Sequence, residues 1–209
     1  MRALGFQRRQ FSRTEWNFFS CKAKVEPKVD LITTAGRTGD LILVGEEGVE
    51  EPAHSAVLID IPYFEANSRD EWSGKVWNLH NKLRLELPSP AGREALGYFL
   101  KYVYGDRRSL YKFDPTGAQL LQELLSLGDA CGVPALCADV TGLVIVTATN
   151  VDSWLAWLLK EHGVDIGPIR KQVVQVMKDK LQSGMCWEDL TVEQLSTLAA
   201  LQNSFLRSS

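Results

Sequence analysis

Residues 40–66, with the sequence DLILVGEEGVEEPAHSAVLIDIPYFEA, contain the pattern that decides the fold of this chain. Residues 41–44 (LILV) are all apolar and are followed by a glycine, which is typical of a short strand buried on both faces. Residues 46–48 (EEG) form a polar turn, and residues 49–53 are short enough to return beside the first strand. Because a proline cannot donate a ladder hydrogen bond, Pro52 favours an edge position for this second strand.

Two short helices are predicted directly after this hairpin. Residues 54–59 (HSAVLI) carry apolar side chains as closely spaced as on a helix that packs against a sheet, and Pro62 opens a second helical segment. A hairpin that leads directly into two compact helices is typical of an α+β unit. The sequence therefore predicts the α+β fold class.

A longer helix is predicted after residues 89–90 (SP), because serine suits the N-cap and proline the first helical position. Its apolar positions recur at helical spacing and are Leu96, Phe99, Leu100 and Val103. Gly105 lies just beyond them and suits the helix end. Residues 114–115 (DP) repeat the cap-and-proline pattern before a leucine-rich helix, which residues 132–134 (GVP) break before a further helix.

From Asn150 onward the sequence predicts helices only. Asn150 suits the N-cap of a segment that contains Trp154 and Trp157, which we predict to be packing residues because each can remove about 200 Å² from water. A second apolar stripe, closed by Gly184, consists of Ile169, Val173, Val176, Met177 and Leu181. Thr191 begins a capping box, whose partner and hydrophobic staple are Gln194, Leu190 and Leu195.

Length and composition are those of an ordinary globular chain. It has 209 residues, of which 45% are apolar and 23% are charged, so it can bury a sizeable core. Its net charge of −3 indicates neither nucleic acid nor an anionic membrane as a partner. The longest candidate apolar run, residues 142–148, is far shorter than the ~20 residues that cross a bilayer. We therefore predict no nucleic-acid partner and no membrane span.

The cysteines predict a reducing environment. A disulfide framework is not expected from four cysteines in a chain of this length, and those cysteines are Cys21, Cys131, Cys137 and Cys186. We interpret them as reduced, mostly buried thiols of a cytoplasmic or nuclear protein. A zinc site at Cys131 and Cys137 is the weaker alternative, because no second close pair follows.

Residues that could perform catalysis are scattered. The three histidines are far apart in the sequence, and there is neither a Gly-x-Ser-x-Gly motif nor a glycine loop suited to a phosphate. Asp40 and His54 could approach each other across the hairpin, and we interpret them as a buried polar pair that joins strand and helix. The sequence therefore predicts no enzymatic activity, no cofactor and no metal ion.

The first 38 residues are predicted to be an arm that docks on the domain or on a partner. An aromatic cluster of Trp16, Phe18 and Phe19 favours docking. The alternative is an organelle-targeting presequence, because four arginines precede the first acidic residue. Residues 21–39 contain a proline, two glycines and little helical periodicity, so we expect no helix there.

The polar connection of residues 67–82 is long for a compact domain, and it contains Trp72 and Trp77. These tryptophans could form an exposed recognition surface. We favour packing against the sheet, because large aromatic side chains contribute most when they are buried.

Several ordered blocks of the sequence resemble a BTB/POZ domain, and together they cover about half of the chain. In chain order they are residues 40–45 (DLILVG), 53–58 (AHSAVL), 63–64 (YF), 83–87 (LRLEL), 99–106 (FLKYVYGD) and 120–137 (LLQELLSLGDACGVPALC). The last three resemble the family's next strand, its helix that ends in a Tyr-x-Tyr motif, and its last two helices. Several blocks in one order are more specific than one short motif.

The resemblance implies an architecture for the whole chain. Residues 39–148 would form a BTB/POZ-like domain, with a small three-stranded sheet flanked by a cluster of helices. Residues 149–209 resemble the start of the helical BACK extension that follows many such domains. Residues 1–38 would be the arm.

The resemblance also implies a function in protein–protein interaction. Members of the family assemble with copies of themselves, or they are substrate adaptors of cullin-RING ubiquitin ligases. The alternative is a structural subunit of a larger complex that does not bind a cullin.

The resemblance places the predicted interaction residues on one helix and in the arm. In adaptor members a hydrophobic-x-Glu motif on the helix before the Tyr-x-Tyr end contacts the cullin. The corresponding residues here are Leu96, Gly97 and Tyr98, so the acidic residue is missing. Several relatives also place a basic residue opposite the position of Asp40, where this chain has Ser55. The complete predicted surface comprises Leu96, Gly97, Tyr98, Tyr102, Tyr104, Trp16, Phe18 and Phe19.

Overall fold

The computed structural model describes residues 29–69, 82–159 and 166–182, together with the single position 199. Within these ranges the chain is an α+β protein with a three-stranded mixed sheet and flanking helices. The strands are β1 (Leu41–Val44), β2 (Glu50–Ala53) and β3 (Leu83–Glu86). The helices are α1 (Val29–Thr38), α2 (Ser55–Leu58), α3 (Pro62–Arg69), α4 (Arg93–Val103), α5 (Ala118–Cys131), α6 (Pro134–Leu143), α7 (Val151–Leu158) and α8 (Gly167–Gln182).

The sheet has the order β2-β1-β3, with β1 antiparallel to β2 and parallel to β3. The central position of β1 agrees with its apolar sequence, because the side chains of residues 41–43 are buried whichever face they occupy. Pro52 lies opposite Ile42 on an edge strand, as expected for a residue without an N–H donor. The predicted hairpin and the edge position of Pro52 are therefore confirmed.

The described elements share one continuous apolar core. It extends from Leu43 of β1 through Phe99 of α4 and Leu124 of α5 to Trp154 of α7 and Val173 of α8. Trp154 is fully buried and Trp157 almost so, with their rings in an edge-to-face contact 5.5 Å apart. The prediction that both tryptophans are packing residues is confirmed. No helix within the described residues is both long and apolar enough to cross a bilayer.

The turn between α5 and α6 depends on one glycine. Gly132 has a φ angle of 75°, in the left-handed region, and its N–H bonds to carbonyl groups in the last turn of α5. A Cβ atom at this position would lie 3.1 Å from the ring of Pro62. Pro134 then starts α6 at a position where its missing N–H is no loss. The predicted break at residues 132–134 is confirmed.

Residues 29–38 form a helix that the sequence analysis did not expect. α1 is an amphipathic helix that packs against β2 and α4, with Ala35 buried and Ile32 partly buried. It ends beside Gly39, where a Cβ atom would lie 2.5 Å from the carbonyl oxygen of Ala35 and 2.6 Å from that of Ala53. The glycine that argued against a helix thus allows its C-terminal end to approach β2.

α4 and α5 both start later than their cap-and-proline patterns predicted. α4 begins at Arg93 and α5 at Ala118, with glycines at both N-caps. Asp114 instead closes a local turn, because its Oδ1 atom accepts hydrogen bonds from the backbone and the hydroxyl group of Thr116 at 2.9 and 2.7 Å. Such local bonds compete with helix formation, so the predicted starts were wrong by several residues.

Asn150 precedes α7 as predicted, but its side chain does not cap that helix. Its Oδ1 atom accepts a hydrogen bond from the backbone N–H of Thr147 at 2.8 Å, and its Nδ2 atom donates to the carbonyl groups of Thr116 and Ile145. Asn150 therefore ties the connection before α7 to the loop before α5. The predicted capping box at Thr191 lies outside the described residues.

Candidate protein-interaction surface

α4 and the residue that follows it carry five of the predicted interaction residues, and the structure places three of them in the core. Leu96 is fully buried, and Tyr102 and Tyr104 are almost so. They are buried because α4 packs against β2 on one side and α5 on the other. This corrects the sequence analysis, since these side chains cannot contact a partner. The accessible part of the predicted surface on α4 consists of Gly97 and Tyr98.

Tyr98 is half-buried and lies on the outer side of α4. Its ring makes an edge-to-face contact with Phe113, with 5.6 Å between the ring centres. The ammonium group of Lys101 lies 5.0 Å above the same ring. A Cβ atom at Gly97 would meet no other atom within 4 Å, so this side of α4 is open.

The hydroxyl group of Tyr102 joins α4 to α6. It donates a hydrogen bond of 2.7 Å to Asp139, and the guanidinium group of Arg107 lies 5.1 Å from the centre of its ring. Burial, followed by the hydrogen bond to Asp139, raises the pKa of Tyr102 well above its usual value. Tyr102 thus combines a packed ring with a protonated hydroxyl group.

The segment that follows α4 forms a short 3₁₀ helix, Arg107–Lys112, which we call the basic turn. Ser109 and Leu110 are buried, and the hydroxyl group of Ser109 donates to the carbonyl oxygen of Asp106 at 2.8 Å. Its other four side chains are exposed and are those of Arg107, Arg108, Tyr111 and Lys112. None of the sequence patterns above indicated this segment. The feature that could have indicated it is the single leucine within a run of cationic residues, which suggests an anchored backbone with exposed charges.

The predicted pair of Asp40 and His54 has different hydrogen-bond partners in the structure. Asp40 is exposed and accepts two hydrogen bonds from Ser55, 2.8 Å from its backbone N–H and 2.5 Å from its hydroxyl group. Partial burial raises the pKa of Asp40, but the two bonds from Ser55 outweigh it and hold the pKa below its usual value. The carboxylate thereby fixes the first residue of α2.

His54 belongs to a chain of hydrogen bonds from α1 to α4. The hydroxyl group of Tyr104 accepts the backbone N–H of His54 at 2.9 Å, so its own proton is available for Nδ1, which also lies at 2.9 Å. On the other side of the ring, Nε2 lies 2.9 Å from the hydroxyl oxygen of Thr38, so the two ring nitrogens contact hydroxyl groups from different parts of the chain. Thr38 in turn donates to the carbonyl oxygen of Thr34.

This polar cluster does not have the arrangement of a nucleophilic site. A serine nucleophile needs a base that takes its proton at neutral pH, commonly a histidine. Ser55 donates to Asp40, whose lowered pKa makes the carboxylate a weak base, while His54 is engaged by Thr38 and Tyr104. The contacts join α1, α2, β1 and α4. The sequence analysis missed Ser55, Thr38 and Tyr104 as partners because they are distant from one another in the chain.

Two open clefts lie near the N-terminal end of α4, away from the polar cluster of Asp40 and His54 at its C-terminal end. One, of about 470 Å³, lies between the first turns of α4 and α5 and is lined by Arg93, Glu94 and Glu123 among others. The Glu123 carboxylate accepts the backbone N–H of Gly92 at 2.9 Å and so occupies the N-terminal end of α4. The other, of about 460 Å³, lies where β1 and β3 end and is lined by Glu46 and Glu86. Both clefts contain carboxylates that would repel a phosphate group.

Cys131 and Cys137 are free, buried thiols at the junction of α5 and α6. Burial raises the pKa of both to about 12, with a smaller contribution from Cys137 at Cys131 and from Asp129 at Cys137. Among the described residues, no three histidine, cysteine or acidic side chains converge as metal ligands would. The alternative of a zinc site at these cysteines therefore gains no third ligand from this part of the chain.

The predicted interaction residues of the arm, Trp16, Phe18 and Phe19, lie outside the described residues, as do Trp72 and Trp77. No protein-family model matches this chain, and no curated protein matches it significantly.

Proposed function

We propose that this chain is a BTB/POZ-like protein-interaction module that acts as an adaptor or assembly scaffold and performs no chemistry itself. The order of its elements carries the proposal. A hairpin is followed by two short helices, a strand, a helix that ends at residues 102–104 (YVY), and two further helices. The same order of blocks underlies the sequence resemblance to that family. The proposal therefore depends on the order of the elements along the chain and on the pairing of the strands in the sheet, and not on any single motif.

The C-terminal helices support a BACK-like extension. α7 packs against α5, and α8 packs against α6 and α7, so both belong to the same core as the sheet. An extension held in this way is a rigid continuation of the domain. We also propose a cytoplasmic or nuclear location, because the free thiols of Cys131 and Cys137 suit a reducing compartment.

A cullin is one candidate partner, and a larger assembly without a cullin is the second. Burial of Leu96 favours the second, because the hydrophobic position of the adaptor motif is then inaccessible. Tyr98 occupies the third position of the motif in place of an acidic residue. The surface that α4 offers to a partner thus differs from the one that the adaptor motif requires.

A retention experiment separates the two candidates. A cullin N-terminal domain is immobilised and exposed to micromolar amounts of the parent chain and of a Tyr98→Glu variant. Retention of the parent supports an adaptor. Retention of the variant alone, which restores the acidic residue of the adaptor motif, supports a BTB-like surface that lacks only this residue for cullin binding. If neither is retained and the chain copurifies with no stoichiometric protein, the proposed function is wrong.

A further inference from the structure

The basic turn presents an exposed aromatic side chain among cations. Ser109 and Leu110 are buried, so the backbone of the turn is anchored while the other four side chains are exposed. Tyr111 is 72% exposed, a large fraction for an aromatic side chain. Arg107, Arg108 and Lys112 are exposed around it, and Lys101 of α4 is exposed beside Tyr98.

These four cations have no carboxylate partner in the part of the chain that the structure describes. Three cations elsewhere do have one: Arg84 pairs with Glu50, Arg93 with Glu51 and Lys180 with Asp152. Residues 101–112 contain four cations and one acidic residue, a local charge of +3 in a chain whose net charge is −3. The segment is thus locally positive, as α8 also is, and it differs from α8 in carrying an exposed aromatic side chain among its cations.

Two of the four cations are held in place by aromatic rings. Lys101 lies over the ring of Tyr98 at 5.0 Å, and Arg107 lies over the ring of Tyr102 at 5.1 Å. Such contacts leave the hydrogen-bond donors of the cations available while they reduce the freedom of the side chains. These side chains would therefore lose less conformational entropy when a partner binds them.

We propose that these residues, Lys101, Arg107, Arg108, Tyr111 and Lys112, form a basic ridge that binds an acidic segment of a partner protein. This inference rests on the proposed function as an interaction module. Arginine guanidinium groups bind carboxylates in a bidentate manner, and the acidic segment supplies them. Tyr111 supplies an aromatic surface for an apolar side chain of the same segment, as tyrosines do at the centres of interfaces.

Neither a nucleic acid nor a second copy of the chain fits this ridge as well. Tight binding of a nucleic acid relies on cations that follow several successive phosphates, whereas the six residues of the basic turn rise only about 2 Å each and so span a short distance. The acidic hairpin of a second copy is partly neutralised, because Glu50 and Glu51 already pair with arginines.

The test uses the full chain and a fluorescent peptide of alternating aspartate and glutamate with one central leucine, measured by polarisation. We expect saturable binding that weakens about tenfold or more in the Arg107→Glu, Arg108→Glu double variant, because two attractive charges become repulsive. Tyr111→Ala should weaken binding severalfold while leaving its dependence on salt unchanged. The matched control is the Lys171→Glu, Lys178→Glu double variant, which reverses the charge of two exposed residues of α8. It should change the affinity less than about twofold. Circular dichroism establishes that each variant is folded.

Four results would overturn the inference. They are no saturable binding of the peptide, an equal loss in the α8 control, tighter binding of a single-stranded RNA oligonucleotide to the same ridge, and self-association that the Arg107 and Arg108 reversal abolishes. A failure of the inference differs from a failure of the proposed function. If one of these four results is obtained and the double variant still copurifies with the parent's stoichiometric partner, the ridge is wrong and the interaction module stands.

Discussion

The hydroxyl oxygen of Tyr104 lies 2.9 Å from the backbone nitrogen of His54 and 2.9 Å from its Nδ1 atom. These two residues are separated by 50 positions in the sequence. One side chain at the end of α4 therefore satisfies both the N–H group and the ring of the residue that joins β2 to α2. Burial raises the pKa of Tyr104, so its hydroxyl group keeps the proton that this arrangement requires.

Replacement of Tyr104 by phenylalanine should destabilise the protein by about 1–2 kcal/mol, because the partly buried N–H of His54 loses its acceptor. Urea unfolding followed by circular dichroism measures the change. Tyr111→Phe removes a hydroxyl group from an exposed side chain and should shift the free energy of unfolding by less than about 0.5 kcal/mol. Equal effects of the two replacements would contradict the proposed role of Tyr104.

Replacement of Asp40 by alanine should cost about 1 kcal/mol at neutral pH, because Ser55 at the start of α2 loses both of its hydrogen bonds. The folded protein lowers the pKa of Asp40, so this contribution is complete above its ordinary value of 3.8 and is lost as the pH falls through the lower folded value. Unfolding curves of parent and variant should therefore converge in acid. Asp60→Ala serves as the control, and a difference that is independent of pH would show that the carboxylate charge is not involved.

Two glycine-to-alanine replacements should have opposite effects. Gly132→Ala should destabilise by about 1–2 kcal/mol, because the residue has a positive φ angle and its new methyl group would press on Pro62. Gly97→Ala lies inside α4 with open space around it and should stabilise by about 0.5–1 kcal/mol. Thermal unfolding of both variants measures the contrast. A neutral Gly132→Ala would show that the turn between α5 and α6 has another conformation.

The thiols of Cys131 and Cys137 should be unreactive in the folded protein. Burial raises the pKa of each to about 12, and the thiolate is the reactive form, so a disulfide reagent at pH 8 should modify neither before the chain unfolds. The measurement uses a Cys21→Ser, Cys186→Ser background, which leaves these two cysteines of the four. Both thiols should become reactive together when denaturant unfolds the chain. Rapid labelling of the folded protein would instead show that the thiols are exposed, which would contradict their burial.

The sequence predicted those parts of the fold that depend on neighbours in the chain. β1, the hairpin, the break at residues 132–134 and the burial of Trp154 follow from local apolar patterns, and each is confirmed. α1 was missed because Pro27, Gly36 and Gly39 were taken to break any helix in residues 21–39, whereas the helix begins after the proline, contains Gly36 and ends before Gly39. The starts of α4 and α5 were misplaced because the Ser-Pro and Asp-Pro pairs at residues 89–90 and 114–115 resemble caps, although Asp114 instead closes a local turn with Thr116.

The candidate site was less predictable than the fold. Leu96 was assigned to a partner interface from its place in a motif, but the same apolar spacing that makes α4 amphipathic puts it in the core. The hydrogen-bond partners of Asp40 and His54 depend on how α1, β1, α2 and α4 pack against one another. The spacing of residues in the sequence does not predict that packing. The exposure of Tyr111 follows from the burial of Leu110, which only the packed turn shows.

Purification of the tagged full chain from its native cells, at its native level and at physiological salt, tests the central claim most directly. Light scattering of the eluted material gives the mass of the species that contains the chain. The account predicts a mass well above the 23.4 kDa of one chain, with at least one other protein in a fixed ratio to it. Elution of the chain alone at the mass of one copy would contradict the claim that it is an interaction module.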